Sequence, residues 1–269
     1  MSRALREDIG SGDVTAALIP TRTRARARVL CREAAVLCGA PWFRETFAQL
    51  DPAIEITWHH GEGTTVAAGA VLCELDGPAR AILTGERTAL NFLQLLSATA
   101  TLTHRYVEAI TGTACQILDT RKTIPGLRTA QKYAVRCGGG ANHRIGLYDM
   151  VLIKENHIAA AGSIAAAVQT ARTHAPRVRI EVEVETLPQL REALEARADI
   201  IMLDNFELPA MREAVAINRA SARPALLESS GGVTLDTLRS IAQTGVDYIS
   251  VGALTKNITA VDLSMRFEP

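Results

Sequence analysis

The sequence predicts a two-part α/β protein. A strand-rich N-terminal part interrupted by helices precedes a series of βα units that favours a barrel. Three observations carry this reading. Residues 24–31 alternate small or apolar residues with Arg, the period of two expected of a strand with one face in water. Leu83, Leu90, Leu93, Leu96, Ala100, Val107 and Ile110 form an apolar stripe at helical spacing. From Thr113 onward, short β-rich runs alternate with helical stretches, as a parallel sheet requires.

The elements follow in order. After the strand at 24–31, residues 34–38 continue as a short apolar strand, and residues 41–50 open on Pro41 and read as a helix. ITW at 56–58, TVAAGA at 65–70 and VLCEL at 71–75 read as short strands separated by Gly turns. A long helix runs from about Pro78 to Ile110, with Gly85 expected to interrupt its first turns. The β-rich runs that follow are CQILDT at 115–120, MVLIK at 150–154, RIEVEVE at 179–185, IIMLD at 200–204, ALLESS at 225–230 and YISVG at 248–252. Helical stretches at 162–175, 187–198, 208–220 and 234–245 alternate with the later runs. Thr186 precedes Leu187 and Pro188 as an N-cap precedes a helix start. The close, regular spacing of the later units favours a barrel.

Composition sets limits on function. Of 269 residues, 48% are hydrophobic and 22% charged, the balance of a folded chain. Lys+Arg and Asp+Glu are both 29, so no basic surplus supports general nucleic-acid binding. Only four of the basic residues are Lys, which makes each of them worth locating. No apolar run reaches the roughly 18 residues that span a bilayer. The N-terminus lacks the apolar core and cleavage site of a secretory signal, so no membrane association and a cytoplasmic location are expected. The five Cys contain no CxxC pair and read as small buried thiols in a reducing compartment. Cys137 lies beside a glycine cluster, but nothing near it in sequence positions a base.

Polar residues collect at the C-terminal ends of the β-rich runs, where barrel active sites are built. Asp119, Thr120, Arg121 and Lys122 follow the first run, His143 and Arg144 lie in the GGGANHR loop, and Lys154 ends the second run. Cations converging in one mouth repel one another unless acids or a bound anion offset them. Arg matches a carboxylate or phosphate bidentately, and two pairs of cations suggest more than one anionic group. Glu181, Glu183 and Glu185 alternate along one strand and are expected on one side of it. With Asp204 they suit a hard cation such as Mg²⁺ or an ion-pair network with the cations. The SSGG segment at 229–232 and the VGA segment at 251–253 follow late strands, a common place for a phosphate. Together these groups suit the loss of pyrophosphate from an activated sugar phosphate.

The chain resembles the quinolinate phosphoribosyltransferase family over nearly its whole length. EDIGSGDVT at 7–15, GERTALNFLQ at 85–94, DTRKTIPGLR at 119–128 and GGGANHRIGLYD at 138–149 carry the likeness. It continues in LIKENHI at 152–158, IEVEVET at 180–186, IMLDN at 201–205 and ESSGGV at 228–233. Ser229 stands where many relatives have Ala, and the N-terminal helix looks short. The resemblance implies an N-terminal α/β sandwich over 1–112, an incomplete, open α/β barrel of about six to seven strands over 113–254, and a segment at 255–269 returning to the first domain.

The resemblance also implies the reaction: phosphoribosyl transfer from phosphoribosyl pyrophosphate to quinolinate, giving nicotinate mononucleotide, pyrophosphate and CO₂ with Mg²⁺. Arg121, His143, Arg144 and Lys154 are then expected to hold the quinolinate carboxylates. Lys122, Glu183 and Asp204 are expected on the pyrophosphate, ribose and Mg²⁺ side, with Glu183 and Asp204 as metal ligands. Ser230, Gly231 and Gly252 are expected around the 5-phosphate. The resemblance further implies a dimer in which Arg87 is expected to reach the neighbouring subunit's site, a role its helical position alone would not suggest. Competing readings are a same-fold enzyme acting on nicotinate or another pyridine, a Schiff-base aldolase using Lys154, and a non-catalytic anion binder.

Overall fold

The computed structural model describes residues 1–268. In chain order the first elements are α1 (Ser2–Ile9), β1 (Arg24–Cys31), β2 (Ala35–Val36), α2 (Ala40–Leu50), β3 (Glu55–Trp58), β4 (Thr65–Val66), β5 (Val71–Pro78) and α3 (Ala79–Ala109). Then come β6 (Gln116–Leu118), α4 (Arg128–Cys137), β7 (Val151–Ile153), α5 (Glu155–Ala161), α6 (Ile164–His174), β8 (Ile180–Val184), α7 (Leu187–Glu195) and β9 (Ile200–Asp204). The last are α8 (Leu208–Ala220), β10 (Leu226–Ser230), α9 (Leu235–Ala242), β11 (Tyr248–Ser250), α10 (Ala253–Lys256) and β12 (Leu263–Phe267). The chain divides into two compact units, the first made of Met1–His104, Tyr133–Gly139 and the chain from Asn257 onward, the second of Arg105–Lys132 and Gly140–Lys256.

The first unit is built on an antiparallel sheet in the order β12-β1-β5-β3, with β2 and β4 forming a separate pair. The alternation in β1 does what period two demands. Ala27, Val29 and Cys31 enter the core, while Arg26 lies across from Asp76 on the outer face and bonds it at 3.0 Å. These outer ion pairs are solvated and contribute little to stability. Phe43 and Phe47 of α2 and Leu90 and Leu93 of α3 share one apolar cluster with the inner face of the sheet.

Two expectations change here. The run 65–70 is a strand only over its first two residues, because the chain turns at Gly69, which has φ +85° and donates its N–H to the Cys31 carbonyl at 2.7 Å. Gly85 does not interrupt α3, which is continuous from Ala79. Its role is clearance: a Cβ at Gly85 would stand 2.6 Å from Phe47 Cε1 and 2.8 Å from Leu50 Cδ1. Gly85→Ala is therefore expected to destabilise the protein by about 1–3 kcal/mol through overpacking, despite alanine's better helix propensity. Denaturant unfolding checks this, and a stabilised variant would contradict it.

The second unit contains a six-stranded parallel sheet in the order β6-β11-β10-β9-β8-β7. Helices α6, α7, α8 and α9 connect the successive strands from β7 to β11, and Thr186 caps α7 as expected, its side chain accepting from the Gln189 N–H. Strands such as β9 are apolar along most of their length because both faces are covered. Among the described residues β6 and β7 do not pair, so the barrel is open. The segment between them carries α4 and a long loop in place of a regular crossover, and its one bridge to β6 is at Ala141. The short helix α5 directly after β7 was not among the expected elements. Among the described residues no helix is long and apolar enough to cross a membrane.

Candidate active site

The C-terminal ends of the parallel strands surround a cavity of about 200 Å³ in the second unit. Asp119, just after β6, organises its entrance. The carboxylate is fully buried and ion-paired to Lys132 of α4, itself buried. It also accepts from Asn142 Nδ2 at 2.6 Å and from the His143 backbone N–H at 3.0 Å. Lys132 Nζ in turn donates to the His143 carbonyl at 2.9 Å. One buried ion pair thus pins the loop that presents His143 and Arg144. Burial pushes the Asp119 carboxyl up and the Lys132 ammonium down, and their pairing opposes both shifts.

Arg121, Lys122, Arg144 and Lys154 all line the cavity. Arg121 Nε is buried without a hydrogen-bond partner. Burial, followed by the charge of Arg121, lowers the pKa of Arg144. Two guanidiniums so placed, one with an unused donor, call for a planar anion. Lys154, at the end of β7, is ion-paired to Glu183 of β8. Thr120, Ser230 and Ser250 add hydroxyls, and Leu152 and Met202 add apolar wall.

His143 lies at the base of this arrangement. Its Nδ1 accepts the Arg144 backbone N–H at 2.8 Å, so the ring proton resides on Nε2 and is donated to Glu181 Oε2 at 2.8 Å. Burial lowers the His143 pKa, against the raising charge of Glu228. Both ring nitrogens are therefore engaged within the protein. Glu181 and Glu228 lie within 4.8 Å of the His143 ring nitrogen and of each other, and both are buried. Burial raises their carboxyls to about 7 and about 8, with their mutual repulsion adding to the rise at Glu228.

Seven of the expected residues therefore line one cavity: Arg121, Lys122, His143, Arg144, Lys154, Glu183 and Ser230. Asp204 ends β9 outside its lining, and its Oδ2 accepts from Asn205 Nδ2 at 3.0 Å. Gly231 lines a neighbouring cavity with Gly232 and Thr237. At φ +99°, a Cβ on Gly231 would come within 2.1 Å of Asn205 Oδ1. Gly252 lies against the Lys122 stem, where a Cβ would be 2.9 Å from Cδ. Arg87 is exposed on α3 in the first unit, not among the residues that line the cavity.

The three-glutamate side does not hold as one group. Glu181 turns into the buried base, Glu183 into the mouth, and Glu185 lies beyond the end of β8, exposed. Sequence reasoning missed Glu228. The signal was available: it is a lone carboxylate inside the apolar start of β10, two residues before Ser230 and so on the same side of the strand.

An open parallel α/β barrel with cations and hydroxyls gathered at its strand ends defines a barrel enzyme for anionic substrates. The comparisons agree. Residues 13–97 match the model for the quinolinate phosphoribosyl transferase N-terminal domain, and residues 99–266 match that for the C-terminal domain. A probable carboxylating nicotinate-nucleotide pyrophosphorylase of Bacillus subtilis is 45% identical, over 96% of this chain and 89% of the relative. The carboxylating nicotinate-nucleotide pyrophosphorylase of Mycobacterium leprae is 42% identical over 98% of this chain and 94% of its own. The solved nicotinate-nucleotide pyrophosphorylase of Francisella tularensis has a TM-score of 0.96 and 49% identity, covering 99% of this chain and 94% of that one. The chain belongs to the quinolinate phosphoribosyl transferase family.

Proposed function

We infer that this enzyme transfers the phosphoribosyl group of phosphoribosyl pyrophosphate to quinolinate with loss of CO₂, giving nicotinate mononucleotide and pyrophosphate, a step of NAD biosynthesis. The observation that carries this reading is the cation-lined cavity, in which Arg121, Arg144 and Lys154 offer more positive charge than a single carboxylate needs. These side chains hold the two carboxylates of quinolinate, and the buried Arg121 Nε supplies an unused donor. His143 shapes the base of the site and orients Arg144 through its ring nitrogen. The pyridine nitrogen attacks the anomeric carbon as pyrophosphate departs. The reaction requires no nucleophilic side chain, so positioning and electrostatics suffice.

Lys122 faces the departing pyrophosphate, and Ser230, Gly231 and Gly252 surround the 5-phosphate. Glu183 and Asp204 offer hard oxygen donors at the ends of neighbouring strands, whose register pairs Val184 with Leu203, and this donor set suits Mg²⁺. Held there, Mg²⁺ would supply positive charge against the leaving group. The enzyme acts in the cytoplasm as a homodimer, and the partner subunit's Arg87 completes each site.

The direct test supplies Mg²⁺, phosphoribosyl pyrophosphate and either quinolinate or nicotinate to the purified protein. Nicotinate mononucleotide and CO₂ from quinolinate alone are expected. Product from nicotinate alone would overturn the acceptor. The dimer has its own test. Arg87→Ala and Lys154→Ala are each expected to be inactive, and mixing them should restore turnover, because a mixed dimer contains one site with both residues intact. Failure of the mixture to gain activity, with subunit exchange verified, would remove Arg87 from the partner's site.

A further inference from the structure

Loss of CO₂ from a pyridinium ring leaves an electron pair on the ring carbon. That carbon takes a proton before the product leaves. Few groups in the cavity can supply one. Arg121, Lys122 and Arg144 are assigned above to the substrates' anionic groups. Lys154, ion-paired to Glu183 in the empty site, is assigned above to a substrate carboxylate. The single ring proton of His143 lies in a hydrogen bond to Glu181.

Glu228 is different. Its side chain is 1% exposed, it lines the cavity, and it lies 3.5 Å from His143 Nε2. Neither of its oxygens meets a well-placed donor, although the Ser250 hydroxyl is near enough to favour the charged form. Glu181 Oε1, beside it, is also without a partner. Three unsatisfied acceptors in one buried spot are costly. One proton on Glu228 relieves the conflict, because it converts an acceptor into a donor facing the Glu181 carboxylate.

We propose that Glu228 is a carboxylic acid in the resting site and is the proton donor to the ring carbon that loses CO₂. This rests on the phosphoribosyl-transfer reading above. In the step, the bond from the ring carbon to the carboxylate breaks, CO₂ departs and the electron pair stays on carbon. That pair takes the Glu228 proton, the electrons of the O–H bond remain on the carboxylate, and water restores the proton after the product leaves. Burial, which holds the Glu228 carboxyl well above the usual carboxylate range, agrees with this assignment.

The test is Glu228→Gln, which keeps shape and a hydrogen-bond donor but has no transferable proton. Quenched turnovers with quinolinate and phosphoribosyl pyrophosphate are resolved into the dicarboxylated mononucleotide and nicotinate mononucleotide. The ratio of the first to the second is expected to rise by about a hundredfold, the usual worth of a general acid. General damage would lower both together, so an unchanged ratio overturns the proposal. A second measurement uses the unaltered protein. Enzyme and quinolinate equilibrated in D₂O are mixed with phosphoribosyl pyrophosphate in H₂O and quenched within one turnover. Deuterium at the ring carbon is expected to exceed that in later turnovers, and equal labelling overturns the proposal. A divalent cation bound by the unaltered protein and lost in Glu228→Gln would also overturn it, since a metal would then occupy the place given to the proton. Absence of any pyrophosphate release by the unaltered protein would instead refute the underlying reading, and that is seen first.

Discussion

Replacing Lys154 by alanine is expected to lower kcat/KM for quinolinate by roughly two to three orders of magnitude while leaving the fold intact. Two effects act together. The ammonium that would meet a substrate carboxylate is lost, and the Glu183 carboxylate it neutralised is left unpaired in the mouth. That free negative charge then opposes the same anion. The Lys154 side chain is 42% exposed, so its removal opens no core cavity and the melting temperature should hold. Arg121→Ala should act in the same direction by removing the guanidinium whose Nε is unused in the protein. Initial rates and thermal unfolding, measured side by side, check both. Near-normal activity in either variant would dismantle the proposed carboxylate site.

Asp119→Ala has its largest expected effect on stability. The side chain is fully buried, and its carboxylate neutralises the buried Lys132 while holding Asn142 and the His143 backbone. Removing one member leaves an uncompensated buried ammonium, a change that costs about 3–5 kcal/mol. The midpoint of urea unfolding should fall accordingly. Lys132→Met removes the other charge and strands the carboxylate, although Asn142 and the His143 N–H still satisfy part of it, so its loss should be smaller. A change below about 1 kcal/mol in Asp119→Ala would show that the pair is not what anchors the loop. The buried pair also explains why only some of the few lysines belong to the cavity: Lys122 and Lys154 line it, while Lys132 props up the loop behind it.

Much of the architecture was legible in the sequence because it rests on local periodicity and on where the runs end. Alternation in β1, the stripe of α3 and the alternating runs after Thr113 each express a burial pattern that the backbone geometry enforces. The gathering of Arg121, Lys122, His143, Arg144 and Lys154 was legible for a related reason. In a parallel βα series all strand ends fall on one side, so order along the chain becomes proximity in space. Tertiary structure decided the rest. Gly85 looked like a break in a helix and is instead the clearance for Phe47, a residue far away in sequence. Asp119 stood among apparent site groups, and only its encounter with Lys132 makes it an anchor. Glu181, Glu183 and Glu185 share a period but not a fate, because burial depth along β8 and the strand's end separate them. Glu228 gains its meaning only when β10 and the loop after α4 bring it, buried, against Glu181 and His143. Sequence pattern determines which side of an element a residue faces. What that residue meets there, and therefore whether it carries a proton, depends on neighbours that only the folded chain supplies.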